Sequence, residues 1–124
     1  MNTLVIDTNI FVSELIKDGL IREILMNSDI NFIFPEFGIT EIYKYKADII
    51  NKAKINEKEF DILLLRLLRY IRLIPLELIL NFRKDAVFIA TALAFNCPIW
   101  IEDKHFKRQN KIKIFNTKEI KDLL

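Results

Sequence analysis

The sequence predicts an α/β protein, a three-layer α/β/α sandwich around a parallel sheet of roughly five strands. Two observations support this fold. Short runs rich in branched and aromatic residues alternate with longer segments of helical spacing, and the first and fourth short runs are almost continuously apolar, as expected of parallel strands buried on both faces. The predicted strands are residues 3–7, 31–34, 71–75, 98–101 and 112–115.

Composition and length favour one compact domain, residues 1–124. The chain has 52% hydrophobic residues, two glycines and three prolines, and it contains no linker or repeat. A charge interrupts each long apolar run, as Arg66, Arg69 and Glu77 do, so we expect no membrane span. The opening residues lack a basic leader, and the expected location is therefore the cytoplasm.

Three helical segments carry specific expectations. Residues 86–95 are apolar nearly all round, which predicts a helix covered on most sides. Residues 57–70 have one broad apolar face, but Ile62 and Leu65 fall outside it. This excess predicts a homodimer contact, although small proteins also expose some leucine. Segment 36–53 predicts a buried stripe with helical spacing, formed by Ile39, Ile42, Tyr45 and Ile49.

Four acidic residues stand at the ends of apolar runs. In a parallel sheet, the carboxyl ends of neighbouring strands line one crevice, where ligands bind. Clustered carboxylates repel one another unless a cation holds them, so the pattern indicates a metal-dependent nuclease. Each aspartate taken singly is better explained as a helix N-cap. The four residues are Asp7, Glu41, Asp85 and Asp103.

The other reactive and charged residues give little indication of function. The single cysteine, Cys97, excludes an internal disulfide and is better explained as a small core residue than as a nucleophile. His105 has no evident triad partner. The net charge of +2 does not by itself indicate nucleic acid, while the basic run 104–113 is either a phosphate-binding segment or a solvated face.

Four segments together resemble a known family. VIDTNIFVSELI, PEFGITEI, KDAVFIATALAF and PIWIEDKHF, in this order, look like the PIN-domain ribonucleases, which include the VapC toxins of toxin–antitoxin pairs. The resemblance covers nearly the whole chain. It implies one acid of the active site in each segment, Asp7, Glu41, Asp85 and Asp103, with Thr8 and Asn9 orienting the first.

The resemblance implies a metal-dependent endoribonuclease with an antitoxin as a possible protein partner. We expect Asp7 and Asp103 to bind Mg²⁺ or Mn²⁺ directly, and Glu41 and Asp85 to hold its waters or a second ion. Nothing in the composition selects RNA over DNA. The basic residues expected to contact the RNA backbone are Lys104, Lys107, Arg108, Lys44 and Lys46.

Departures from the family pattern leave alternatives open. Many members carry Thr or Ser two residues before the final acid, where this chain has Ile101, and the stretch between Pro75 and Asp85 is shorter. A catalytically silent PIN module that binds RNA or protein is therefore the alternative. A receiver-like phosphoacceptor domain fits poorly, because Ile101 and Asn116 replace the hydroxyl and lysine that it requires. Glu41 has its own alternative, an ion pair with Lys44 or Lys46.

Overall fold

The computed structural model describes residues 2–16, 19–27, 29–75, 87–102 and 112–123. Within these ranges the chain forms five strands and seven helices. The strands are β1 (Thr3–Ile6), β2 (Asn31–Pro35), β3 (Ile71–Ile74), β4 (Ile99–Trp100) and β5 (Ile114–Phe115). The helices are α1 (Thr8–Ile16), α2 (Leu20–Asn27), α3 (Glu36–Lys44), α4 (Lys46–Ala53), α5 (Glu57–Leu68), α6 (Val87–Ala94) and α7 (Thr117–Leu123).

The strands form one parallel sheet in the order β3-β2-β1-β4-β5. All five predicted strands are present, and their ends differ from the prediction by at most two residues. The chain builds outward from β1 to β2 and β3, then crosses back to place β4 on the other side of β1. The order therefore reverses between β1 and β4, and this reversal defines the topological switch point of the sheet.

Consecutive residues of the central strands are buried, which means that both faces of the sheet are covered. Leu4, Val5 and Ile6 in β1 have almost no exposed surface, and neither do Phe32 and Ile33 in β2. Side chains alternate between the two faces along a strand, so this burial requires a packed layer on each side. The predicted three-layer α/β/α architecture is confirmed. No helix in the described ranges is long and apolar enough to cross a membrane.

The predicted stripe in residues 36–53 is wrong at one position. Ile42 and Ile49 are fully buried, but 46% of Tyr45 is exposed. The helix breaks at Tyr45, which has φ −96° and ψ 7° and ends α3 before α4 begins. This break shifts the helical phase, so the spacing that would bury Tyr45 in one continuous helix does not apply.

Helix α6 is also less covered than predicted. Val87, Phe88 and Ala92 are buried, yet 51% of Leu93 is exposed. The helix ends at Ala94, and Asn96 in the turn after it has a positive φ of 49°, a left-handed conformation that asparagine tolerates. The amide of Cys97 then donates to the carbonyl of Ala92 at 3.0 Å, closing the C-terminus.

Helix α5 begins with a capping box. The side chain of Asn56 accepts a hydrogen bond from the amide of Glu59, whose carboxylate accepts one from the amide of Asn56. The predicted apolar face packs inward through Phe60, Leu64 and Leu67. As expected, Ile62 and Leu65 lie outside this face and are exposed.

Gly38 allows helix α3 to pack closely on strand β2. A Cβ atom at this position would overlap the ring of Phe34. That ring is fully buried and is held against Phe11, at 4.4 Å between centroids, and Phe88, at 5.8 Å. The ring therefore cannot move aside, and the absence of a side chain at Gly38 fixes the position of α3.

We expect Gly38→Ala to lower the free energy of unfolding by about 1–3 kcal/mol, because it overpacks a rigid part of the core. Chemical denaturation measures the change. The matched control is Thr40→Ala, an exposed position on the same helix, which should change stability little. Equal stability of the Gly38→Ala variant and the wild type would contradict this account of α3.

Candidate active site

Asp7 lies at the switch point of the sheet, directly after β1. Its amide donates to the carbonyl of Trp100 in β4 at 3.0 Å, so the ends of the two strands are joined here. Its carboxylate accepts a hydrogen bond from the amide of Asn9 at 3.2 Å, at the start of α1. Asp7 is thus the N-cap that its sequence position suggested. Because a carboxylate offers about four acceptor positions, capping leaves it able to bind a cation.

Thr8 joins the first and second acidic segments. Its hydroxyl donates to Oε1 of Glu41 at 2.7 Å, although the two residues are 33 positions apart. Thr8 is buried, and Glu41 is half-buried on α3. The structure therefore brings Glu41 beside the end of β1, as its predicted reach from α3 required. Asn9, the other expected orienting residue, contributes its backbone amide to Asp7 and is itself exposed.

The expected lysines take different positions. Lys44 is exposed on α3, one turn beyond Glu41. Lys46 lies 5.4 Å from the centroid of the Phe60 ring and 4.0 Å from a carboxylate oxygen of Asp61, so it contacts α5. In the described residues neither lysine forms an ion pair with Glu41, and the alternative interpretation of Glu41 as a simple helix ion pair is wrong.

The end of β4 brings a third segment to the same edge. Ile101 is buried, and its amide donates to the carbonyl of Phe115 at 2.9 Å. The carboxylate of Glu102 accepts a hydrogen bond from the amide of Thr117 at 2.6 Å, at the start of α7. Glu102 therefore contacts the start of α7, next to β5, whereas Asp7 follows β1 on the other side of β4. That Glu102 is not a ligand stays a prediction.

Five expected site residues lie outside the described ranges. They are Asp85, Asp103, Lys104, Lys107 and Arg108. Among the described residues no group of three acidic, histidine or cysteine side chains is arranged to hold a metal ion. Asp7 and Glu41 are the two expected acids that the described ranges contain.

The donor set of this edge fits a hard divalent cation. Asp7 is only 8% exposed, and the Thr8 hydroxyl links its segment to the Glu41 carboxylate. Carboxylate and hydroxyl oxygens are the donors that Mg²⁺ and Mn²⁺ prefer, whereas cysteine and histidine are absent from this edge in the described residues.

Cys97 behaves as a core residue. It is half-buried against the core, and burial raises the pKa of its thiol above the ordinary value, partly opposed by a backbone hydrogen bond from Val5. A thiol with a raised pKa is less ionised at neutral pH and less nucleophilic. This supports the sequence-based interpretation.

An ion pair between helices α1 and α2 was not foreseen. The side chain of Glu14 is only 2% exposed, and Arg22 of α2 approaches its Oε1 with Nε at 3.1 Å. The only signal in the sequence was an acid within the stretch TNIFVSELI, which carries no other charge. Spacing along the chain does not identify its partner, because the angle between two helices decides which side chains meet.

The fold and this edge define an α/β protein with carboxylates at the switch point of a parallel sheet. Comparison with known proteins gives the family. The family model for the PIN domain matches residues 5–121, and no curated protein matches significantly. The chain therefore belongs to the PIN-domain family, as its four motifs suggested, and members of this family are nucleases that generally use divalent metal ions.

A solved structure agrees with this fold. The matched chain comes from the crystal structure of VapBC2 from Rickettsia felis bound to a DNA fragment from their promoter. The TM-score is 0.67 at 16% identity, and the match covers 92% of this chain and 98% of that chain. At this level of identity the similarity concerns the fold.

Proposed function

We propose that this protein is a divalent-metal-dependent endoribonuclease. The proposal rests mainly on the placement of two carboxylates, Asp7 and Glu41, at the switch point of the sheet. Thr8, which follows Asp7 in the chain, donates its hydroxyl hydrogen bond to Glu41 there. Membership of the PIN-domain family supports it. The proposed metal ligands are Asp7 and Asp103, supported by Glu41 and Asp85, and the ion is Mg²⁺ or Mn²⁺.

In this mechanism each residue has a separate task. A bound divalent ion supplies an activated water and neutralises charge on the scissile phosphate. The Asp7 carboxylate is held in a fixed direction because it accepts a hydrogen bond from the Asn9 amide, while the Asp7 amide donates to the Trp100 carbonyl in β4. Thr8 orients Glu41 by donating a hydrogen bond from its hydroxyl to one carboxylate oxygen, and Glu41 held in this way would help to hold the ion's water. The surrounding core excludes bulk water from Asp7.

We propose that basic residues around this edge bind the RNA backbone. Lys44 is exposed one turn beyond Glu41, so its ammonium can reach a phosphate close to the site. Lys104, Lys107 and Arg108 follow the final acid in sequence. Contacts of this kind supply affinity and register without sequence choice. Lys46, which the sequence also predicted to contact RNA, has to leave the Phe60 ring and Asp61 before it can contact a phosphate.

Cleavage of single-stranded and structured RNA by the purified protein tests the proposal. We expect products in Mg²⁺ or Mn²⁺ and none in metal-free buffer containing a chelator. Product formation that persists without divalent ions would contradict the mechanism. DNA of the same sequence, assayed in parallel, determines whether the substrate is RNA.

A catalytically silent PIN module is the alternative function. It is favoured by Ile101, whose buried side chain provides no hydroxyl at the end of β4. Calorimetric titration with Mn²⁺ separates the two functions. An intact site binds the ion with measurable heat and loses that heat in an Asp7 variant, whereas a silent module gives no saturable signal in either protein.

We also propose that the protein forms a homodimer through α5. Leu65 is 65% exposed, and Ile62, one turn earlier, is exposed beside it. An exposed apolar ridge of this kind is typical of an interface. We expect Leu65→Lys to produce monomers in sedimentation velocity, because a buried lysine charge would oppose association. The control is Leu93→Lys on α6, also at an exposed leucine, and an unchanged mass in the Leu65 variant would contradict the interface.

A protein antitoxin is a further proposed partner. The proposal is supported by the similarity to the VapBC2 structure and by membership of the family. We also propose that the protein acts in the cytoplasm. A short reading frame for an antitoxin next to the gene would support it. Growth arrest on expression of this chain alone, relieved by co-expression of that neighbour, is the direct test.

A further inference from the structure

A cavity lies at the opposite edge of the sheet from Asp7. It has a volume of about 440 Å³, within the range of roughly 300–1,000 Å³ typical of small-ligand sites. Its lining includes Thr3, Asn31 and Ile71, the first residues of β1, β2 and β3. Asp7 follows the last residue of β1, so the strand separates the two sites by about 13 Å.

The cavity is positively charged. Arg69 and Arg72 both line it, and none of the lining residues in the described part of the chain is acidic. In the described part of the chain neither guanidinium forms an ion pair. Asp29 is exposed and precedes the lining segment, but it is not part of the wall. Two arginines that line one cavity and form no ion pair in the described residues favour an anion, because arginine binds phosphate with two parallel hydrogen bonds.

Two aromatic residues that are not fully buried also line the cavity. Tyr70 follows Arg69 directly and is 40% exposed, and Phe95 lies half-buried at the end of α6. Aromatic side chains stack on nucleic-acid bases in a manner that tolerates different bases. Asn31 is exposed at the mouth and can both donate and accept hydrogen bonds. The cavity therefore combines a charged part for a phosphate with an aromatic part for a planar ring.

We propose that this cavity binds a nucleoside monophosphate group, with the phosphate on Arg69 and Arg72 and the base against Tyr70 and Phe95. The group is either a free nucleotide or the phosphorylated end of an RNA strand. The cavity and the carboxylate edge are too far apart for one nucleotide to contact both, so this binding does not depend on the proposed nuclease activity.

Calorimetric titration with adenosine 5′-monophosphate tests the proposal, in the absence of divalent ions so that the carboxylate edge does not contribute. We expect saturable binding, with weaker binding of adenosine and of inorganic phosphate. Arg69→Gln and Arg72→Gln should each weaken binding about tenfold or more, and Tyr70→Leu should also weaken it. Arg66→Gln is the matched control, because Arg66 is exposed in α5, three residues before Arg69, and does not line this cavity.

The outcomes separate this site from the nuclease. Asp7→Asn should bind the nucleotide like the wild type, whereas loss of binding in that variant alone would overturn the proposal. Absence of saturable binding, or tighter binding of a poly-glutamate peptide, would also overturn it. Competition by a 5′-phosphorylated oligoribonucleotide, with none by its unphosphorylated form, would assign the site to RNA ends, and failure of both to compete would assign it to free nucleotides. Circular dichroism melting confirms that each variant is folded.

Discussion

Asp7→Asn is expected to lower metal-dependent RNA cleavage by more than about a hundredfold. Residues that merely support a metal ligand already contribute roughly 10–100-fold to affinity or activity, and Asp7 is proposed as a direct ligand. The substitution removes the negative charge but preserves the shape of the side chain. Steady-state cleavage of a labelled RNA in Mg²⁺ or Mn²⁺ measures the loss.

The same substitution should leave the fold intact. Asparagine is as good an N-cap as aspartate, so the hydrogen bond from the Asn9 amide to the Asp7 side chain is retained. Asp48→Asn is the charge-matched control, because Asp48 forms an exposed ion pair with Lys52 at 3.1 Å on α4. Undiminished cleavage by a folded, nuclease-free Asp7→Asn protein would refute the site.

Arg22→Met is expected to lower the free energy of unfolding by about 3 kcal/mol. Removing one partner from a buried ion pair costs about 3–5 kcal/mol, because the remaining buried charge loses part of its compensation. We take the lower end since the Arg22 side chain is 40% exposed, while that of Glu14 is only 2% exposed. For a chain of 124 residues this corresponds to a fall in Tm of roughly 10 °C.

Two further variants identify the cause of that loss. Lys52→Met breaks the exposed pair with Asp48 and should cost no more than about 1 kcal/mol. Combining Arg22→Met with Glu14→Gln should recover part of the stability, because the buried carboxylate charge is then removed as well. If Arg22→Met is no more destabilising than Lys52→Met, the pair between α1 and α2 does not contribute as described.

The sequence predicted much of the sheet and part of the candidate site. Strands β1 and β4 were identifiable because a strand buried on both faces is almost continuously apolar, and Asp7 marked the end of β1. Glu41 was placed correctly because side chains lean toward the N-terminus of their helix. Tyr45 was placed wrongly, because a helical period has meaning only within one unbroken helix and the chain bends at this residue.

Other features followed from packing that no local pattern expresses. The Gly38 requirement exists only because Phe34 is held between Phe11 and Phe88. The cavity near Arg69 is formed by residues from three strands, the turn after α5 and the end of α6. The sequence showed two nearby arginines, Arg66 in α5 and Arg69 directly after it, but it did not show that Arg69 lines this cavity and Arg66 does not.

The sequence by itself determined the alternation of strands and helices, the burial of the central strands and the position of Asp7 at a strand end, because these depend on local periodicity and on the direction of the chain. The tertiary structure decided which groups each polar side chain contacts. Thr8 meets Glu41 across 33 residues, and Arg22 meets the buried carboxylate of Glu14. Such contacts depend on the angles and distances between packed elements, which are set by the core as a whole.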